Sequence, residues 1–377
     1  MTKKKTEEEE FNSVFEQAFE EKNPDFSRTL NIAIVGKVSA GKSSLLSAIL
    51  LRDRATTVAA VGATSGVTVA LKAIRLDDRV LIVDSPGLDD IRKDNSKVTM
   101  EFLEKIDCGI FVVTGSADAS QKKNLDDLKA HAKRVFVVLN KIDEWDKLSP
   151  AALQKVIEQW QRDLGESRIY PVCSFGYDPE TREGTPLDLR GVDVLRSAIF
   201  DFLESEGKEL LLQRHLGDKR SVAAKIIVSA CVAAAGEAFI PGSAAYITAT
   251  QVVAITALHY LYTGNILSKS SALGILPSFI AQAAGSSLFL LIKSFLPPTG
   301  LLDAAAAAVA LTVTAAMLLA VNNVLVQGHS LDERDRLVAS FSSLRGTAKR
   351  RLGEAPASEW TTAAFWQQFI RELMYSK

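Results

Sequence analysis

The 377-residue chain holds few groups that crosslink or titrate near neutrality: three cysteines and four histidines. Cys108, Cys173 and Cys231 are scattered and odd in number, which argues against a disulfide framework and suits a reducing, cytosolic compartment. They show no metal-ligand spacing. His131, His215, His259 and His329 stand far apart and form no nucleophile–base or ligand pattern. Surface or packing roles are expected for them. The formal net charge is −1, so no global field draws the chain to nucleic acid, and no nucleic-acid partner is expected. The first residues lack an apolar stretch, so no secretory signal is expected there. No repeat of fixed period is present. The largest absence is charge in the second half. No Asp, Glu, Lys or Arg occurs between Glu237 and Lys269, between Lys269 and Lys293, or between Asp303 and Asp332. The length allows two domains and a large core.

Against that background stands Gly36-Lys37-Val38-Ser39-Ala40-Gly41-Lys42-Ser43, a complete G-x-x-x-x-G-K-S loop. Its glycines permit backbone angles and close approaches that a side chain blocks. The N–H groups of such a loop and of the helix after it point at phosphate oxygens. Lys42 places a charge between β- and γ-phosphates, and the Ser43 hydroxyl can ligate Mg2+. Leu30 to Val35 reads as the buried strand before the loop, and Ser44 to Leu50 as the helix after it.

Three further pieces follow in chain order. Leu81 to Gly87 is an apolar strand ending in Asp84-Ser85-Pro86-Gly87. Asp84 falls at the strand's carboxyl end, where it can hold a water on Mg2+, while the Gly87 N–H can meet the γ-phosphate. Val135 to Leu139 then delivers Asn140-Lys141-Ile142-Asp143. An Asp here can accept two hydrogen bonds from guanine, a pair that adenine cannot supply. Hydrogen bonds to a charged group contribute about 1.5–3 kcal/mol each, so losing both rejects adenine. The Lys141 stem can lie over the base, and Asn140 can tie this loop to the phosphate loop. Finally, Cys173-Ser174-Phe175 follows a strand end and offers a backbone N–H for the base carbonyl; an ordinary strand exit reads the same way.

At these residues the chain resembles the translation-factor-related superclass of P-loop GTPases. The stretch Ser39-Ala40-Gly41-Lys42-Ser43-Ser44 is similar to dynamin-like, immunity-related and Era-like members. The resemblance covers about residues 30–205 and implies Mg2+-dependent hydrolysis of GTP to GDP and phosphate. It also implies a switch threonine contacting Mg2+ and the γ-phosphate. Thr64-Ser65-Gly66-Val67-Thr68 makes Thr68 the better candidate, with Thr64 the alternative. Ser39 holds the position that in these families helps bind a monovalent cation near the β- and γ-phosphates, although Era-like proteins using that device have Asn there.

The chain departs from efficient hydrolases at the water-positioning residue. Small signalling GTPases place Gln where Leu88 stands, and dynamins place Gln where Val38 stands. Lys37 reads as solvent-exposed or as a reach to phosphates or a partner. Slow intrinsic turnover is therefore expected, accelerated by self-association into a homodimer or nucleotide-dependent oligomer, or by a partner. An arginine supplied in trans adds about 10^3 to 10^5 in rate.

Four apolar segments, about 222–240, 243–262, 271–292 and 304–326, are each long enough to cross a hydrocarbon core of roughly 30 Å. Paired as hairpins 222–262 and 271–326, they leave both flanks on the cytosolic side, and the basic tail suits that side. Their Ala, Gly, Ser and Thr content suits a soluble bundle of helices buried all round nearly as well. Phe11, Val14, Phe15, Ala18 and Phe19 form an apolar stripe at one end of the chain; Trp360, Ala364, Phe365, Phe369, Leu373 and Met374 form another. Both are expected to pack within the helical domain, with an interfacial anchor as the alternative. The run Arg345 to Arg351 reads equally as a lipid-phosphate contact or a solvated face.

The expected architecture is an α/β P-loop GTPase domain, a mostly parallel sheet with helices on both faces, plus an all-α, Ala-rich domain. The expected boundaries are an N-terminal helix over 1–29, the GTPase domain over 30–205, the helical domain over 206–353 and a C-terminal helix over 354–377. The expected function couples nucleotide state to self-assembly or to membrane lipid at the cytosolic face. The alternative is a soluble GTP-dependent switch that recruits a protein or ribosomal partner and hydrolyses little.

Overall fold

Short β-branched runs between polar turns form the strands. β1 (Leu30–Val35), β3 (Val80–Ser85), β4 (Ile106–Val113) and β5 (Ala132–Leu139) are almost continuously apolar, as strands covered on both faces must be. With β2 (Lys72–Arg75) and β6 (Tyr170–Pro171) they make one sheet in the order β2-β3-β1-β4-β5-β6. Every pairing is parallel except β2 with β3. The computed structural model describes residues 2–52, 72–85, 102–177, 181–182, 184–240, 242–279 and 304–375. Thr64, Thr68, Gly87 and Leu88 lie outside the described residues, as do 280–292 of the third apolar segment. The strand before Cys173 is short, β6 being paired only at Tyr170–Pro171.

Helices cover both faces of the sheet. Ala33, Val35, Phe111, Val113, Val137 and Leu139 point to the face covered by α3 (Lys122–His131) and α4 (Pro150–Leu164), where Leu125, Leu128, Val156 and Trp160 complete one core. α4 begins with Pro150 at its first turn and ends on Gly165 at φ 73°. On the other face lie α2 (Lys42–Ile49) and α5 (Val192–Ser205), with Phe136 meeting Phe202 edge-on at 6.3 Å. A short α6 (Glu209–Gln213) follows.

Contacts cluster into two compact units, Phe26–Gly217 and Met1–Asp25 with Asp218–Lys377. Residues 206–217, expected in the helical domain, belong to the unit that carries the sheet. The reason is local: the Gly217 N–H donates to the Leu50 carbonyl at 2.9 Å, and Arg214 and His215 both meet Asp77.

The second unit contains α1 (Thr2–Lys22), α7 (Arg220–Glu237), α8 (Ser243–Thr263), α9 (Lys269–Ile275), α10 (Ala304–Val326), α11 (Arg334–Glu354) and α12 (Ala363–Tyr375). α8 is bounded by Gly242 and Gly264, both at positive φ. It is apolar all round and buried all round. Sparse polar pairs cross its packing: Gln251 donates to Thr314 at 2.8 Å, and Tyr262 to Asn322 at 2.8 Å. α1 lies on α8 with Phe11, Phe15, Ala18 and Phe19 buried, and Lys22 pairs with Glu237. The C-terminal stripe has a different phase from the expected one. Trp366 and Ile370 are buried with Trp360 and Phe369, while Ala364 is exposed. α8 and residues Ala307–Val326 are long and apolar enough to cross a membrane by composition, and 78% of an 18-residue apolar stretch of each is buried.

Candidate nucleotide site

The register of β1 against β3 places Ile34 beside Asp84, so the loop leaving Val35 starts next to that carboxylate. Two of its glycines are dictated by neighbours. A Cβ on Gly36 would stand 2.3 Å from the Val112 carbonyl oxygen. Gly41 begins α2 at φ 79°, and a Cβ there would stand 2.5 Å from the Asn140 amide nitrogen. Among the described residues, three non-glycines have positive φ; two of them, Ser39 (65°) and Lys141 (62°), belong to this site. Such angles cost about 1–3 kcal/mol each and persist where the surroundings enforce them.

Lys42 folds back across the loop. Its ammonium donates to the carbonyls of Gly36 at 2.9 Å and Lys37 at 3.1 Å, and stands 3.4 Å from the Asp84 carboxylate. The Ser43 hydroxyl donates to the other Asp84 oxygen at 2.9 Å. Ser43 and Asp84 are hard oxygen donors side by side. Among the described residues no group of three or more His, Cys, Asp or Glu is placed to hold a metal ion. Mg2+ uses one or two protein groups and completes its shell with phosphate and water oxygens, so these residues fit it.

Asn140 joins the two halves of the site. It is fully buried, donates its amide to the Ala40 carbonyl at 3.0 Å, and accepts from the Ser174 hydroxyl at 3.2 Å. Asp143 follows on a 3-10 turn, Ile142–Trp145. Its carboxylate accepts from the Cys173 thiol at 3.2 Å. Burial pushes that thiol up to about 12, with Asp143 adding to the shift, so it stays a donor at neutral pH. The Cys173 backbone N–H is engaged by the Arg190 carbonyl at 2.8 Å. Of the Cys173-Ser174-Phe175 run, Ser174 and Phe175 face the cleft.

That cleft encloses about 550 Å³ and is lined by Gly41, Ser44, Asn140, Lys141, Asp143, Glu144, Ser174 and Phe175. Thr181, Arg182 and Thr185 complete the lining, and sequence reasoning missed them. It also missed two clamps. Arg190 grips both Asp146 oxygens at 2.8 and 2.6 Å and also bonds Asp188, which holds both carboxyls below the usual range. Lys37 pairs with Asp118 at 2.5 Å, so its ammonium is turned toward the loop after β4. That pairing, with the Ser120 N–H, holds Asp118 far below its ordinary range. The acidic run Asp143-Glu144-Asp146 was the available signal for a cation partner. Nothing local pointed to Asp118. Val38, at the loop tip, is 77% exposed.

Residues 31–141 match the family described as 50S ribosome-binding GTPase. The tRNA modification GTPase MnmE of Thermotoga sp. (strain RQ2) is 34% identical over 130 residues, covering 33% of this chain and 28% of that protein. GTPase Der of Nautilia profundicola is 29% identical over 151 residues, covering 38% of this chain and 31% of that protein. The chain thus spans under a third of the length of these relatives. Among solved structures, the G domain of the T. maritima FeoB iron transporter aligns at 18% identity, with a TM-score of 0.29, over 46% of this chain and 99% of that chain. The sheet, its phosphate loop and the matched residues define a P-loop GTPase domain, followed by a helical region outside the match.

Proposed function

We propose that the chain binds GTP with Mg2+, hydrolyses it slowly, and couples nucleotide state to self-association and membrane docking through its helical unit. The observation that carries the nucleotide half is the Asn140–Ala40 hydrogen bond, which brings Asp143 and the phosphate loop to one cleft. In this reading Lys42 and the loop N–H groups hold the β- and γ-phosphates. Ser43, and Asp84 through water, hold Mg2+, which neutralises charge developing on the phosphates. Asp143 reads guanine, with the Lys141 stem and Phe175 beside the base. Thr68 and Gly87 complete the γ-phosphate contacts, and Ser39 contributes to a monovalent-cation site. Val38 offers no polar atom to orient water, which supports slow turnover without a second molecule.

Asp143→Asn tests the base assignment. GTP affinity should fall about 100-fold while xanthosine triphosphate binding appears; undiminished GTP affinity would refute it. Turnover per molecule should rise with protein concentration, and should be higher in K+ than in Na+. The second reading is a soluble switch that recruits a protein or ribosomal partner. The burial of α8 and α10 inside the helical unit favours it, as do a relative named for tRNA modification and a matching family described as ribosome-binding.

A further inference from the structure

α11 differs from the other long helices of its unit. It buries Leu337, Phe341, Ala348 and Leu352, a single stripe that packs on α10 and on the turn Leu276–Phe279, where Phe279 meets Phe341 at 5.2 Å. The rest of the helix is largely exposed. Opposite the stripe, Ala339, Ser342, Gly346, Arg350 and Gly353 recur at spacings of three and four, so they share one outward ridge. A Cβ on Gly346 or Gly353 would meet nothing within 4 Å. Lys349 stands on the flank of this ridge, and Arg345, one turn before it, lies between the ridge and the buried stripe.

The charge on this face is mostly positive; Asp335, at the start of the same ridge, and Glu354, one turn after Arg350, are the acids beside it. From Leu344 to Gly353 there is no Asp or Glu. Arg351 is paired with Glu372 of α12 at 2.5 Å, and Arg336 with Glu333 at 2.6 Å. Arg345, Lys349 and Arg350 are exposed and form no ion pair with a described carboxylate. Complementing the helix dipole accounts for cations in the last turn. It does not account for Arg345, more than two turns before Glu354.

We propose that this outward face of α11 docks on the phosphate headgroups of an anionic bilayer. The small residues on the ridge let a helix lie close to a flat surface, and the long cations spread around them reach phosphates on either side. A single-stranded nucleic acid uses aromatic stacking platforms along a basic groove, and this face is convex and carries no aromatic residue. The inference rests on the membrane half of the reading above and is independent of the nucleotide site.

The test uses the full-length chain with vesicles of phosphatidylcholine alone and of phosphatidylcholine with phosphatidylserine. The comparison variant is Arg345→Gln/Lys349→Gln/Arg350→Gln. Each cation near an anionic surface changes partitioning about fivefold, so the triple variant should lose about 100-fold on phosphatidylserine vesicles. Raising salt should weaken the wild type in the same way. GDP affinity and helix content should not change. If the triple variant folds poorly, Lys349→Gln alone should lose about fivefold. Equal binding of the triple variant and the wild type overturns the assignment to α11. Equal binding of the wild type to neutral and anionic vesicles overturns the charge argument. A wild type that ignores all vesicles overturns the membrane reading itself and leaves the nucleotide reading intact. RNA binding that the triple variant loses, without vesicle binding, gives the face to a different partner.

Discussion

The sheet-bearing unit and the helical unit bury similar residue types but use their polar groups in opposite ways. In the first, polar side chains gather at strand ends, and each is held by several partners: Asn140 by Ala40 and Ser174, Lys42 by two carbonyls and Asp84. In the second, polar groups are spaced singly along apolar helices and crosslink neighbours, as Tyr262 does with Asn322. Concentrated polarity builds a site. Dispersed polarity fixes the register of helices whose apolar surface alone specifies little.

The sharpest break between the two should come from Lys42→Ala. Losing charge-assisted contacts to two phosphates should lower nucleotide affinity about 10^3-fold, measured by titration calorimetry, without changing helix content. Asn140→Ala should act on stability as well as binding. It orphans the buried Ser174 hydroxyl and the Ala40 carbonyl, and should destabilise the sheet-bearing unit by about 3 kcal/mol in denaturant titration. The helical counterpart is Lys22→Ala, which leaves Glu237, held otherwise by Thr250, without its cation. A loss of about 2 kcal/mol is expected, discounted from a fully buried pair because Lys22 is 31% exposed. Nucleotide affinity should not move. Tyr262→Phe removes one crosslink and should cost about 1 kcal/mol.

The smallest effect is on pH dependence. Burial holds His215 below its ordinary range, opposed in part by its bond to Asp77. A base whose folded pKa is depressed contributes stability above about pH 6.5, lost as pH falls through the folded value. The melting temperature should therefore decline from pH 7 toward 5, and His215→Gln should flatten that decline. Asp77 is itself held far below the carboxylate range; burial opposes that shift, and its bonds to His215 and the Arg79 N–H outweigh it. Its share should disappear only below about pH 4.

How much was legible in the sequence follows the same divide. Gly36 and Gly41 are readable because local backbone geometry leaves few alternatives there, and Asn140 and Asp143 because they stand together in one short run after a strand. Asp118 and Arg190 were not, because their partners Lys37 and Asp146 lie 81 and 44 residues away. The engaged N–H of Cys173 depends on Arg190 in the same way. In the helical unit, α8 and α10 are apolar on every side, so periodicity could not say which neighbours cover them. The phase of the C-terminal stripe slipped because both Phe365 and Trp366 suit an apolar face, and only packing selects Trp366 for the interior.

The three cysteines have a practical consequence. All are buried and unbridged. Burial raises the thiols of Cys108 and Cys231 well above their ordinary range, and that of Cys173 to about 12. Maleimide dyes capture thiolates, so the native chain should be almost silent toward them at neutral pH. A cysteine introduced at Val38 on the loop tip, or at Ser342 on the outer side of α11, would then label alone. Paired fluorophores at those positions could follow both units through a nucleotide cycle, without first replacing the cysteines of β4 and α7 or the one bonded to Asp143.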